Sequence, residues 1–267
     1  GGIATLEISG VLAPKATLFS QVSGGMSTHQ ATRQLQSAAA DPAVRGIIVS
    51  ADTPGGSVLG LPEFVDALRA IADQKPLVFH TDGQLASAGY WAASAANAIY
   101  ISGPVVQVGS IGIVVTRNYN PTAAVKEEHI TAGKYKRIAT ANEPLSSEAR
   151  AIVQADVDYV YSLFVDTVAS NRGVSVDAVL EHMAEGRVFR GGQQSMAAGL
   201  VDGVSTLDAL IEQMATDPSK FATRRKARIA ATSRSSTKSE SAGAVLDGDP
   251  SATNQGNSDM ELKDVTR

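Results

Sequence analysis

Over roughly the first three-quarters of the chain, short apolar runs alternate with stretches of helical periodicity, and few architectures accept that pattern. Runs at residues 4–12, 46–51, 77–81, 98–102 and 109–116 are rich in Val, Ile or Leu and bounded by Gly, Pro or Asp, as buried strands are. Between them, residues 28–40, 62–72, 87–96 and 121–128 read as helices. In the second of these, Pro62 suits a first helical position, and Phe64, Val65, Leu68 and Ile71 share one face. A β-then-α rhythm of this kind predicts an α/β core with a largely parallel sheet.

The second half turns more helical. Ser146 or Ser147 caps a long helix whose apolar stripe is Ile152, Val153, Val157, Val160, Phe164 and Val168, and Arg172-Gly173 stops it. A second helix, capped by Ser175, is expected to reach about Ala184. A short strand at Val188-Phe189, a small helix ending near Gly199, a closing strand around Leu200-Val201 and Val204, and a last helix over residues 207–214 follow. From Asp217 onward the composition becomes polar, with Phe221 the last aromatic residue. This stretch carries too little apolar surface to offset the entropy of ordering it. The expected organisation is one domain over residues 1–216 and a disordered tail over 217–267, whose basic cluster at Arg224-Arg225-Lys226 is either a solvated patch or a docking segment for another protein.

Composition narrows the chemistry. With 23 basic against 27 acidic residues among 267, the formal charge of −4 argues against nucleic acid or an anionic membrane as the main partner. There is no cysteine, which removes disulfides, thiolate nucleophiles and zinc–thiolate sites. No His-Glu-x-x-His is present, so no zinc peptidase and no metal is expected, and nothing calls for a cofactor. No run of about 18 apolar residues suggests a membrane span. A start on Gly1-Gly2 without Met is the expectation for a processed N-terminus, and an anchor ahead of Gly1 stays open.

Two segments have the look of a reaction site. In Asp52-Thr53-Pro54-Gly55-Gly56-Ser57, two glycines after a strand leave backbone N–H groups bare for a ligand. Convergent N–H groups are what an oxyanion needs, each worth about 3–4 kcal/mol of transition-state stabilisation. The same residues could equally form a plain turn. In Gln84-Leu85-Ala86-Ser87-Ala88-Gly89-Tyr90, Ser87 falls where a strand hands over to a helix among small neighbours, which suits either a nucleophile or an ordinary helix cap. The Ala88 N–H would then donate to the oxyanion beside Gly56. This is not a Gly-x-Ser-x-Gly elbow, because Leu85 stands at the first glycine position.

A nucleophilic serine needs a base. His29, His80, His129 and His182 stand beside no orienting acid at a recognisable spacing, which leaves lysine. Lys134 and Lys136 occur together in Ala132-Gly133-Lys134-Tyr135-Lys136; both could be surface residues, and a lysine serves as base only if burial pulls its pKa far below the ordinary value.

In order, these segments resemble the serine peptidases that include bacterial signal peptide peptidase A and the head-maturation proteases of tailed phages. Asp52-Thr53-Pro54-Gly55-Gly56 resembles the family's oxyanion segment and Ala86-Ser87-Ala88-Gly89-Tyr90 its nucleophile segment. Val108-Gly109-Ser110-Ile111-Gly112 resembles a strand whose serine supports the base, and Ala132-Gly133-Lys134-Tyr135-Lys136 a Ser-Gly-x-x-Lys segment ending in the base. Glu185-Gly186-Arg187-Val188-Phe189 and Ala197-Ala198-Gly199-Leu200-Val201-Asp202 resemble its closing stretch. Ala132 and Arg137 depart from the pattern, and Lys134 stays a rival to Lys136.

The resemblance implies a Clp protease/crotonase-like fold, a superhelix of repeated ββα units. It also implies a serine–lysine dyad of Ser87 and Lys136, an oxyanion hole at Gly56 and Ala88, and supporting roles for Ser110 and Gly55. It further implies peptide or protein substrates and a homo-oligomeric ring, in which the dyad is completed across subunits in some relatives. A head protease acting on scaffold or capsid protein, in the host cytoplasm or prohead, is the favoured expectation, since the tail resembles scaffold sequence. A membrane-associated hydrolase of signal peptides is the alternative within the family. A crotonase-like acyl-CoA enzyme, which would use an acidic base, and a catalytically silent assembly protein are the alternatives outside it.

Overall fold

The computed structural model describes residues 2–15, 25–119, 122, 130–140 and 143–222. The elements are β1 (Gly2–Ser9), β2 (Leu12–Ala13), β3 (Met26–Ser27), α1 (Thr28–Ala40), β4 (Val44–Asp52), α2 (Leu61–Gln74), β5 (Leu77–Thr81), β6 (Gln84–Ala86), α3 (Ala88–Ser94), β7 (Ala98–Ile101) and β8 (Gln107–Gly109). They continue with α4 (Ser147–Arg172), α5 (Val176–Ala178) running into a π-helical turn (Val179–Met183), β9 (Val188–Arg190), α6 (Gly191–Ala197), β10 (Gly203–Val204) and α7 (Leu207–Thr216).

Five strands form one sheet in the order β1-β4-β5-β7-β10, and every pair in it is parallel. A parallel sheet is covered on both faces, which is why β5 and β7 are buried at every residue and β4 through its middle. Side chains alternate between the two sides. Ile47, Val49, Phe79 and Ile99 enter the main core with Leu35, Phe64, Leu68, Trp91 and Phe164 from the helices. Ile48, Val78, Ala98 and Tyr100 face Leu210, Met214 and Phe221 on the opposite side. A second sheet, in the order β6-β8-β9, carries the loops of interest.

Local signals explain most of the helix ends. The Ser27 hydroxyl accepts from the Gln30 N–H at the start of α1, and that of Ser146 accepts from the Ala149 N–H at the start of α4. Gly173, left-handed at φ 63°, closes α4.

Four expectations change. The run at 4–12 breaks after Ser9, where Gly10 turns at φ 74°, and Leu12 joins a different strand pair. Residues 109–116 are not a ladder strand: β8 ends at Gly109 and residues 110–119 run on outside any strand. The reason lies in β6, which pairs with β8 as far as Ala86 and then turns into α3, so no strand lies alongside beyond that point. The packed chain also runs past 216. The Phe221 N–H donates to the Pro218 carbonyl at 3.1 Å, and the Phe221 ring sits edge-on to Tyr100 at 6.1 Å, 3% exposed. Finally, α5 gives way to a π-turn instead of continuing as one helix. The helix expected over 121–128 and the tail from 223 lie outside the described residues. No helix among the described residues is long and apolar enough to cross a membrane.

Candidate active site

The site forms where the two glycine-containing loops meet. After β4, Thr53 bridges to β6: its N–H donates to the Gln84 carbonyl at 2.7 Å, and its carbonyl accepts from the Ala86 N–H at 3.1 Å. Asp52 reinforces the junction, its carboxylate accepting from the Gln84 N–H at 2.9 Å. These bonds set the Gly55-Gly56 loop against Ser87. A Cβ added at Gly55, where φ is 109°, would stand 2.6 Å from the Ser87 Cβ and 3.0 Å from both the Ser87 Oγ and the Ala88 nitrogen. A Cβ at Gly56 would strike the Leu12 carbonyl oxygen at 2.1 Å. Both positions demand glycine.

Accounting for the loop's N–H groups singles one out. The Gly55 N–H donates to the Thr53 hydroxyl at 3.1 Å, and the Ser57 N–H donates to the Leu12 carbonyl at 2.8 Å. Between them, the Gly56 N–H has no acceptor among the described residues. The Ala88 N–H opens α3 and has no intrahelical partner by construction. The Gly56 and Ala88 N–H groups expected to be donors thus have no backbone acceptor among the described residues, as other N–H groups in a helix's first turn also lack one.

Ser87 is not an ordinary cap. Its backbone lies at φ 50°, ψ −124°, a region costly for a residue with a side chain, and its hydroxyl makes no capping bond to α3. The conformation is held by the Ser87 N–H donating to the Gly109 carbonyl at 2.8 Å and by the Ser87 carbonyl accepting from the Trp91 N–H at 2.9 Å. Ser110, next along the chain from Gly109, is also left-handed at φ 53° and donates its N–H to the Arg187 carbonyl at 2.6 Å.

The two lysines part company. Lys134 pairs with Glu148 at 2.5 Å, and the hydrogen bond to that carboxylate raises its pKa, the wrong direction for a base. Lys136 sits in the turn that follows Gly133, its N–H donating to the Gly133 carbonyl at 3.1 Å. Its side chain is exposed and makes no hydrogen bond to Ser87. Gly55, Gly56, Ser87 and Ala88 thus come together within the chain, with Ser110 joined to them through Gly109, and Lys136 does not enter that cluster.

Of the histidines, His80 lies inside β5, 2% exposed, with its Nε2 2.7 Å from the Ser102 Oγ. Burial lowers its pKa, opposed by nearby Asp82. His182 is at the surface beside Glu181, and His129 lies outside the described residues. Two contributors were missed in the sequence: the Thr53 hydroxyl, which takes up the Gly55 N–H, and Tyr90, whose buried hydroxyl donates to the Leu200 carbonyl at 2.9 Å. Thr53 stood inside a quoted motif, and Leu200 in the closing stretch, but neither pattern names a partner.

The model of peptidase family S49 matches residues 69–219, more than half of the chain and inclusive of Ser87 and Lys136. Capsid assembly protease C of Escherichia phage lambda is 32% identical over 214 residues, covering 78% of this chain and 48% of that protein. The chloroplastic serine protease SPPA of Arabidopsis thaliana is 30% identical over 231 residues, covering 82% of this chain and 34% of its own length. The chain therefore spans about half or less of these relatives. Among solved structures, a mutant of the 1510-N membrane-bound stomatin-specific protease superposes with a TM-score of 0.52 at 15% identity, covering 79% of this chain and 84% of that one, a likeness of fold. The family match over more than half of the chain, together with relatives 30% or more identical over most of it, leads to one assignment: the chain belongs to peptidase family S49.

Proposed function

We propose that this chain is a serine endopeptidase of the Clp/crotonase-type ββα superhelix, with Ser87 as nucleophile and Lys136 as general base. The observation that carries the reading is Ser87 itself: a residue with a side chain, held left-handed, its hydroxyl uncommitted to α3 and pressed against Gly55. In this mechanism a neutral Lys136 amine accepts the Ser87 proton while Oγ attacks the substrate carbonyl. The Gly56 and Ala88 N–H groups receive the tetrahedral oxyanion. Collapse breaks the C–N bond, the leaving amine takes the proton from Lys136, and water attacking through the same base releases the acyl group. Ser110 supports the base, and Gly55 clears the space beside Ser87. The substrate lies extended along residues 110–115, in the place β6 vacates when it ends at Ala86.

The exposure of Lys136 adds a requirement. A base in this mechanism works shielded from water, so cover over Lys136 has to come from bound substrate or from a second copy in a homo-oligomeric ring. Similarity to phage capsid assembly protease C and to the head-tail preconnector protein GP5 of Enterobacteria phage P21 supports scaffold or capsid protein as substrate and the prohead as the place of action. Cleavage of signal peptides at a membrane is the other reading, supported by the similarity to a signal peptide peptidase SppA of Enterococcus faecium.

Labelling by a fluorophosphonate, together with casein cleavage, tests the site. Ser87→Ala should abolish labelling, and either Ser87→Ala or Lys136→Ala should lower kcat by several orders of magnitude, because the pair works as a unit. Mixing the two inactive variants should restore part of the activity if the dyad spans two copies. Casein cleavage unchanged in both variants overturns the assignment.

A further inference from the structure

The closing stretch around Gly199 to Asp202 stands directly behind the nucleophile. The Tyr90 ring is fully buried, and its hydroxyl donates to the Leu200 carbonyl. Tyr90 lies one helical turn along α3 from Ser87. The Leu200 side chain reaches to 3.5 Å from where a Cβ on Gly109 would be, and Gly109 supplies the carbonyl that holds the Ser87 N–H. One residue of the closing stretch therefore bonds α3 through Tyr90 and packs beside Gly109, which holds the Ser87 N–H.

That stretch is itself clamped from α4. The Arg172 guanidinium, 4% exposed, donates to the Gly199 carbonyl from Nε at 3.2 Å and from Nη2 at 2.9 Å. Its Nη1 donates to the Asp202 carboxylate at 2.9 Å, and that carboxylate also accepts from the Ile99 N–H at 2.8 Å. The adjoining Asn171 donates to the Ser94 hydroxyl at 3.0 Å, tying down the other end of α3. A buried ion pair contributes little net stability compared with apolar packing, whereas its fixed fork geometry determines position. A helix of seven residues cannot hold a strained residue at its own start without such external ties.

We propose that Arg172 is a positioning residue for the nucleophile: by clamping the Gly199 carbonyl and the Asp202 carboxylate it fixes the Leu200 carbonyl, which through Tyr90 holds α3 and Ser87 in register with the Gly56 and Ala88 N–H groups. The role rests on the reading of Ser87 as nucleophile and extends it to a residue that touches neither substrate nor reacting atoms.

The test compares Tyr90→Phe, Arg172→Lys and Arg172→Met in the full chain. The readouts are the rate of fluorophosphonate labelling at Ser87, kcat and KM on a fluorogenic peptide, and Tm. Tyr90→Phe keeps the ring and removes only the tether. It should lower kcat and the labelling rate together by about tenfold with KM unchanged, as a small displacement of a reacting group does. Arg172→Met should lose at least as much and Arg172→Lys less. Tyr90→Phe combined with Arg172→Lys should lose no more than the larger single change, since both act through Leu200. Met214→Ala, on the far face of the sheet, should lower Tm and leave the labelling rate as it was. Should Arg172→Met fail to fold, Tyr90→Phe and Arg172→Lys decide the matter. A wild-type labelling rate in Tyr90→Phe, or an equal loss of rate in Met214→Ala, overturns the positioning role. Labelling that survives Ser87→Ala defeats the nucleophile reading instead, which separates the two failures.

Discussion

The corner between Gly55 and Ser87 leaves no room for a methyl group. Gly55→Ala would force a Cβ to 2.6 Å from the Ser87 Cβ in a backbone region that alanine avoids. The expected outcome, with Ser87 as the proposed nucleophile, is a loss of roughly 100-fold in kcat, read on a fluorogenic peptide, with Tm lowered only modestly, because the clash falls on Ser87 and the Ala88 nitrogen. The residue types of this corner were legible: glycines after a strand and a serine before a helix are visible as letters. What the letters withheld was which alternative holds at each. That Ser87 makes no cap on α3 shows only in its backbone, at a ψ of −124°, and that Lys134 is paired shows only in Glu148, brought beside it by the fold. The shared hydrogen bond between the Thr53 hydroxyl and Gly55 was equally invisible, since any small polar residue reads alike at that position.

Elements were legible in proportion to how locally they are determined. β5 and the first helix have the expected bounds because β-branched runs and helical periodicity carry their own signal. The run at 109–116 carried the same apolar signal and is not a strand beyond Gly109, because pairing needs a neighbour and β6 has already turned away. The first half of α4 shows the same dependence: Ile152, Val153, Val157 and Val160 are only half-buried, while Phe164 and Val168 reach the core. Within β5, His80 gives the sheet a pH dependence. Burial holds its folded pKa below the ordinary value near 6.5, so below about that pH the unfolded chain binds a proton that the folded chain resists. Stability from this group is complete above that value and declines as the pH falls through the folded pKa. Tm measured by calorimetry should drop as the pH falls below about 6.5, and His80→Gln should flatten that slope.

At the scale of the whole molecule, the sheet is closed from its second face by α7 and by Phe221. The composition shift at Asp217 hid this, because one buried ring among polar residues does not move a compositional average. Phe221→Ala should cost about 3 kcal/mol through loss of its contact with Tyr100, seen as a lower denaturation midpoint in urea, and a chain ending at residue 216 should lose at least as much. The layout of the main sheet has a bearing on biosynthesis. Ser87 leaves the ribosome well before β9, Leu200 and β10, yet the Leu200 carbonyl that receives the Tyr90 hydroxyl and the strand that pairs with β8 beside Gly109 belong to those later segments. Such long-range pairing, antiparallel for β9 and parallel for β10, forms slowly and late. A nascent chain therefore carries Ser87 without this surrounding frame until translation has passed the closing stretch, so the geometry around that residue is completed only when nearly the whole domain has been made.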